Sequence, residues 1–237
     1  MLGMPRRSKG AIVFEQASGQ FIARNRIRRA AYIGIRVFRD ATVEDNHISR
    51  VCLRMTDCGG IYTFARDRRA LNTRIMRNQI SGLRGRLSHA IYLDDFANGV
   101  EVRDNQLQDN PGGMQLHNAF DNLISGNRFV HSAHEHILFN ETASFAAISG
   151  NQVRGNRFIA TDEVPVYRLW SARGGEHLLR FAQFSGNRYE GTLRRFAQLE
   201  QLGWVDAHQW SQSMDEIEPV FSLPRALPQL TRQPQKK

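Results

Sequence analysis

One short pattern recurs seven times along the chain: an apolar residue, two further residues, Asn, one residue, and a second apolar residue. The asparagines are Asn25, Asn46, Asn78, Asn105, Asn127, Asn156 and Asn187, separated by 21, 32, 27, 22, 29 and 31 residues. A basic period of about 22 residues with insertions fits these intervals, and a repeat of that size marks a solenoid. One unit cannot bury its own apolar face, so the units must stack. Within each copy the apolar residues alternate with period 2, which excludes the 3.6-residue period of helical repeats. A coil of three short strands has this length. The asparagines are expected at its tight turns, where Asn tolerates a left-handed backbone, and stacked on one another they can form a side-chain ladder.

A second strand recurs between the asparagine turns, beginning at Gly34, Gly60, Ala90, Gly113 and His136, with offsets of 26, 30, 23 and 23. Alternation sends Ile35/Val37, Ile61/Thr63, Ile91/Leu93, Met114/Leu116 and Ile137/Phe139 inward. The residues between them form two outward columns. One is Arg36, Tyr62, Tyr92, Gln115, Leu138; the other is Phe38, Phe64, Asp94, His117, Asn140. At the following turn stand Arg39, Ala65, Asp95, Asn118 and Glu141. The expected organisation is β-helix coils over residues 11–190 and a C-terminal helix and packing segment over 191–230. A frayed tail is expected over 231–237. Leu193, Phe196, Leu199 and Leu202 place the helix over 191–203, and 204–221 reads as extended.

Several segments carry a resemblance: Asp57-Cys-Gly-Gly-Ile-Tyr62, His89-Ala-Ile-Tyr-Leu-Asp-Asp95, Gly113-Met-Gln-Leu-His117 and Asp121-Asn-Leu-Ile-Ser-Gly-Asn127. To these add the tail residues Leu199 to Trp204, Asp206, His208 and Glu218-Pro-Val-Phe221. Residues 12–225 thereby resemble bacterial proteins of the pectate-lyase-like superfamily, most of all its secreted glycoside-hydrolase type. The resemblance implies an all-β fold, a right-handed single-stranded parallel β-helix with a short helical or extended C-terminal segment. It implies a polysaccharide or oligosaccharide partner. Glu218-Pro stands where an Asp-Pro is usual, and relatives carry many coils upstream, so the resemblance implies a shortened member. Open β-helix ends predict self-association.

The outward columns set the candidate chemistry. Asp94 and His117 sit one coil apart in one column, so their side chains can touch. Asp95 and Glu141 sit two coils apart, roughly 10 Å between backbones. Side-chain tilt brings such a pair toward the ~6.5–9.5 Å carboxyl separation of inverting glycosidases. Asp94, Asp95, Asp57, Glu141 and His117 are the candidate catalytic residues. Tyr62, Tyr92, His89, Asn118 and Asn140 are the candidate substrate-binding residues. Paired-carboxylate hydrolysis is the first expectation. A polysaccharide lyase or uronate epimerase is the second, and a non-catalytic glycan-binding rod the third.

Other readings fall away. The formal charge of +9 admits a polyanion, but the arginines are scattered, the tightest groups being Arg24–Arg29 and Arg66–Arg69. No aromatic-rich RNA-binding signature accompanies them, so nucleic acid is not the expected partner. His131, His134 and His136 lack a carboxylate or cysteine set to complete a metal site, and no metal or other cofactor is expected. Cys52 and Cys58 are too few for a disulfide framework and read as two small buried residues. No run of 18 apolar residues occurs, so no membrane span is expected. The first ten residues lack the apolar core of a secretory signal, although the family is typically secreted or periplasmic.

Overall fold

A computed structural model describes residues 10–161, 163–191, 194–200 and 202–222. The chain winds as a parallel β-helix with three sheets. The longest has nine strands: Ile12–Val13, Ile35–Val37, Asp57–Thr63, Leu87–Leu93, Gly112–His117, Glu135–Glu141, Tyr167–Ser171, Ala197–Leu199 and Gly203–Val205. Only the last pair is antiparallel. The second sheet has seven strands, from Phe21–Ala23 to Ala182–Ser185, and the third has eight, from Arg26–Arg28 to Val220–Ser222. No helix of the described residues is long and apolar enough to cross a membrane.

The inward columns form one continuous core. In the third sheet Ile27, Ile48, Ile80, Leu107, Phe129, Phe158, Tyr189 and Phe221 stand in register. The column changes from aliphatic to aromatic partway, and its four rings stack at 4.8, 5.3 and 5.2 Å between centroids. Such offset stacking adds to area burial.

The asparagine ladder forms, with one correction. The left-handed residue is the one before each asparagine: Arg24, Asp45, Arg77, Asp104, Gly126, Gly155 and Gly186 all have positive φ, and the asparagines do not. That twist turns the next side chain into the turn. There the Oδ1 of each asparagine after Asn25 accepts from the previous rung. Asn127, for example, accepts from Asn105 N at 3.0 Å and Asn105 Nδ2 at 2.9 Å, and donates to Val102 O and Asn156 Oδ1 at 2.8 and 3.0 Å. A ladder that always donates forward needs a final acceptor. Glu216 supplies it, taking hydrogen bonds from Asn187 Nδ2, Tyr189 Oη and Trp210 Nε1 at 2.9, 2.7 and 3.1 Å.

The C-terminal region differs from expectation. Ala197–Leu199 and Gly203–Val205 form a strand pair where a helix is expected, and the helix of this region is Ala207–Ser213, inside the segment read as extended. The sheet edge at Leu169 needs hydrogen-bonding partners and takes Leu199. Tertiary pairing thus overrides the helical spacing, leaving Leu202 62% exposed. Asp206 and Gln209 form a reciprocal capping box that starts the real helix. It delivers Trp210 onto the Tyr167 ring at 4.6 Å and closes the core. Leu193 and the tail over 231–237 lie outside the described residues.

Cys52 and Cys58 are buried as expected, but they are also joined in a disulfide, which the reading as two small buried residues does not include. Cys52 adopts positive φ, so the loop doubles back and the two Cα atoms come within 5.9 Å. The bridge pins the loop that carries Asp57. Replacing both cysteines by serine is expected to cost about 2 kcal/mol, read as a lower denaturation midpoint that matches the reduced wild type.

Candidate functional site

The first outward column of the long sheet stands in the register the alternation predicts, although Tyr92 and Gln115 are buried within it, and Phe38, expected outward in the second column, packs with the core instead. Arg36, Tyr62, Tyr92, Gln115, Leu138, Arg168, Gln198 and Trp204 follow one another in register. His117, Asn140 and Trp170 form the neighbouring row. The strands bend before these positions. His89 and Tyr92 lie three residues apart on one strand, which in a straight strand would put them on opposite faces. Their ring centroids are nevertheless 6.2 Å apart. The bend folds the strand beginnings, with Asp57, His89 and Glu135, into a wall beside the tyrosines.

Asp94 is the centre of the cluster. Its Oδ1 lies 2.7 Å from His117 Nδ1 and its Oδ2 accepts from the Tyr62 hydroxyl at 2.6 Å. Burial alone would push the Asp94 carboxyl up, but the His117 and Tyr62 hydrogen bonds outweigh it and hold the group below its ordinary value. Burial would likewise lower His117, yet the Asp94 hydrogen bond and charge raise it. Nδ1 is therefore occupied by Asp94, while Nε2 has no hydrogen-bond partner among the described residues. Asp95 accepts from Asn118 Nδ2 at 2.9 Å and lies 3.6 Å from His117 Nδ1. Burial, with the charge of Asp94, raises Asp95. Asp57 is exposed as a residue, but the atoms crowding its carboxyl, with the Asp94 charge, raise it too. Desolvation and Asp94 push both Tyr62 and Tyr92 well up, so both stay protonated.

Ligand atoms of Asp94, Asp95 and His117 lie within 4.8 Å of one another. That set could hold a cation in place of the His117 proton. The three histidines weighed for a metal do not converge. His131 and His134 are exposed, and His136 is fully buried, pushed down to about 3 by burial.

Glu141 requires correction. It is fully buried, accepting from Ile148 N at 2.8 Å and from the Ser171 hydroxyl. Its turn folds the side chain inward to hold the 142–148 loop, so it cannot meet a substrate. Asn118 is also buried and acts through Asp95 and Thr142. His89 is 4% exposed, so it meets a ligand only at its ring edge.

Glu135 escapes the sequence reading. Its Oε1 lies 2.9 Å from His89 Nε2, two coils away. The residue between them in register is Gly112. A Cβ there would stand 2.2 Å from His89 Cδ2 and 2.9 Å from Glu135 Oε1. A glycine between a His and a Glu at matching coil positions was the available signal. Gly112→Ala is expected to cost about 2 kcal/mol through overpacking and to displace His89, read as a lower melting temperature and a changed His89 ring resonance. An unchanged resonance would show that the pair does not need the gap.

Residues 59–167 match the family model described as the right-handed β-helix region. No curated protein and no solved structure matches the chain. The matched stretch contains Tyr62, His89, Asp94 and His117. The chain is a right-handed parallel β-helix, a fold of carbohydrate-active and related proteins.

Proposed function

We propose that the outward face of the long sheet processes a polysaccharide, and that it does so by moving a proton at a uronate ring carbon. The observation that carries this reading is the Asp94–His117 pair. Asp94 fixes Nδ1, and Nε2 is buried without a partner among the described residues, so a sugar ring must reach it from the face that carries two protonated tyrosines. A base held by an orienting carboxylate is the arrangement proton abstraction needs. Neutral His117 takes the proton from the carbon next to the sugar carboxylate, and the electron pair moves into that carboxylate. Arg36, whose guanidinium lies 5.4 Å from the centre of the Tyr62 ring and pairs with Glu15 at 3.3 Å, is a cation this column offers to the developing charge. The Tyr92 hydroxyl then supplies a proton. Delivered to the leaving glycosidic oxygen it completes elimination; delivered to the opposite face of the carbon it completes epimerisation.

Hydrolysis by paired carboxylates is the second reading, favoured by one observation. Asp57 is pushed up and Asp94 is held down on the same face, as an acid and a base require. It loses Glu141 as a partner, and Asp94 already serves two donors.

Incubation with acidic and neutral polysaccharides in heavy water separates the readings. Ultraviolet absorbance from an unsaturated sugar, or deuterium at a ring carbon, supports proton transfer. Reducing ends without either support hydrolysis. Binding without turnover leaves a glycan-binding rod. Tyr92→Phe should lower turnover roughly 100-fold if its hydroxyl is the acid; unchanged turnover removes it from that role.

A further inference from the structure

From the next coil after His117 the same face opens into a cleft of about 360 Å3 lined by Leu138, Asn140, Thr142, Arg168, Trp170 and Glu200. Register ties it to the site, since His117 pairs with Asn140 and Asn140 with Trp170. With strands about 4.8 Å apart, Trp170 lies roughly 10 Å from His117 along the helix axis.

Most of the cleft's polar groups are unspent, the Thr142 hydroxyl excepted, which accepts from Asn118 Nδ2 at 2.8 Å. The side chains of Asn140, Trp170 and Glu200 make no hydrogen bond to the protein among the described residues. Arg168 has a single loose contact, 3.9 Å from Glu135 Oε2. Trp170 is half-buried on an outward position, where an indole fills no core. The cleft therefore offers an aromatic wall, a cation, an anion and an amide together. A purely anionic ligand would meet Glu200, and an apolar one would leave four polar groups without partners. A pyranose ring answers all of them: its C–H face packs on the indole, and its hydroxyls both donate and accept.

We infer that this cleft is a second sugar subsite, holding a ring of the same glycan whose reacting unit lies at His117. The inference rests on the reading that this face takes a glycan, not on the chemistry performed there. The glycan then lies along the helix axis, and the subsite selects chains long enough to span more than one ring beyond the reacting unit.

Di- and hexasaccharides of galacturonate, mannuronate and glucose, titrated by calorimetry into the wild type and Trp170→Ala, test it. At least one hexamer should bind about tenfold tighter than its dimer. Trp170→Ala should remove that gap and leave the dimer unchanged, while Trp170→Phe should keep most of it. An equal length dependence in Trp170→Ala, or no hexamer binding by folded wild type, overturns the subsite. Trp170-dependent hexamer binding without turnover removes the proton-transfer reading and leaves the subsite standing.

Discussion

Asp94→Asn is expected to lower turnover by roughly 100- to 10,000-fold while the rod stays folded. The amide oxygen still accepts from His117 Nδ1, and the Tyr62 hydroxyl can turn to accept from the new amide. What disappears is the charge that raises His117. Wild-type turnover should rise with pH as His117 loses its proton, because the base must be neutral. In the variant that limb moves to lower pH and its plateau falls, because a weaker base remains. Wild-type turnover in a folded Asp94→Asn sample would remove the pair from the mechanism under either chemistry.

The same pair predicts a pH dependence of stability. His117 has a raised folded value, so its contribution is complete below its unfolded value of about 6.5 and is lost as pH rises through the folded value. Asp94 has a depressed folded value, so its contribution is present above about 3.9 and is lost as pH falls through the folded value. Asp57 and Asp95, both raised, act in the opposite sense to Asp94. The whole-protein curve mixes these four with other shifted groups, His136 and Glu216 among them, and the difference between wild type and Asp94→Asn isolates the pair. That difference in melting temperature should be larger near pH 5.5 than at pH 9. Equal differences would mean that the hydrogen bond contributes no charge-dependent stability.

Asn127→Ala carries the largest expected loss of stability, about 4 kcal/mol. The side chain is fully buried, and its removal leaves Asn105 N and Nδ2, Val102 O and Asn156 Oδ1 without that partner. Each buried polar group left alone costs on the order of 1–3 kcal/mol, and some relaxation is recovered from neighbours. Asn25→Ala is the control. Asn25 is the first rung, half-buried, and donates to Asn46 without an asparagine before it, so about 1 kcal/mol is expected. Denaturant midpoints at constant slope measure both. Similar losses at the two positions would show that the ladder does not act through buried donors.

The period was legible because it is a backbone requirement repeated on every coil. Stacked strands admit one inward alternation, and a wrong residue at Ile61 or Ile91 would face the core. The columns Tyr62–Tyr92 and Asp94–His117 followed from that alternation alone. The turn chemistry was less legible. Asn127 marks the turn, but the left-handed residue is Gly126, since the twist must come before the side chain can point inward. At the less regular coils the twist falls on Arg24, Asp45, Arg77 and Asp104, which hides the signal.

By itself the sequence determined the coil, its inward and outward columns, and the adjacency of Asp94 and His117, because strand alternation is local and repeats. Only the tertiary structure decided which polar side chains face solvent. Glu141 and Glu135 are both glutamates on the same strand, yet one folds under a loop and the other meets His89 across the gap at Gly112. The disulfide, the Glu216 terminus of the ladder and the Trp170 cleft likewise depend on contacts between segments 6 to about 60 residues apart. Periodicity constrains a residue's face; the loops and bends that bring distant residues together follow no period, so no pattern in the sequence announces them.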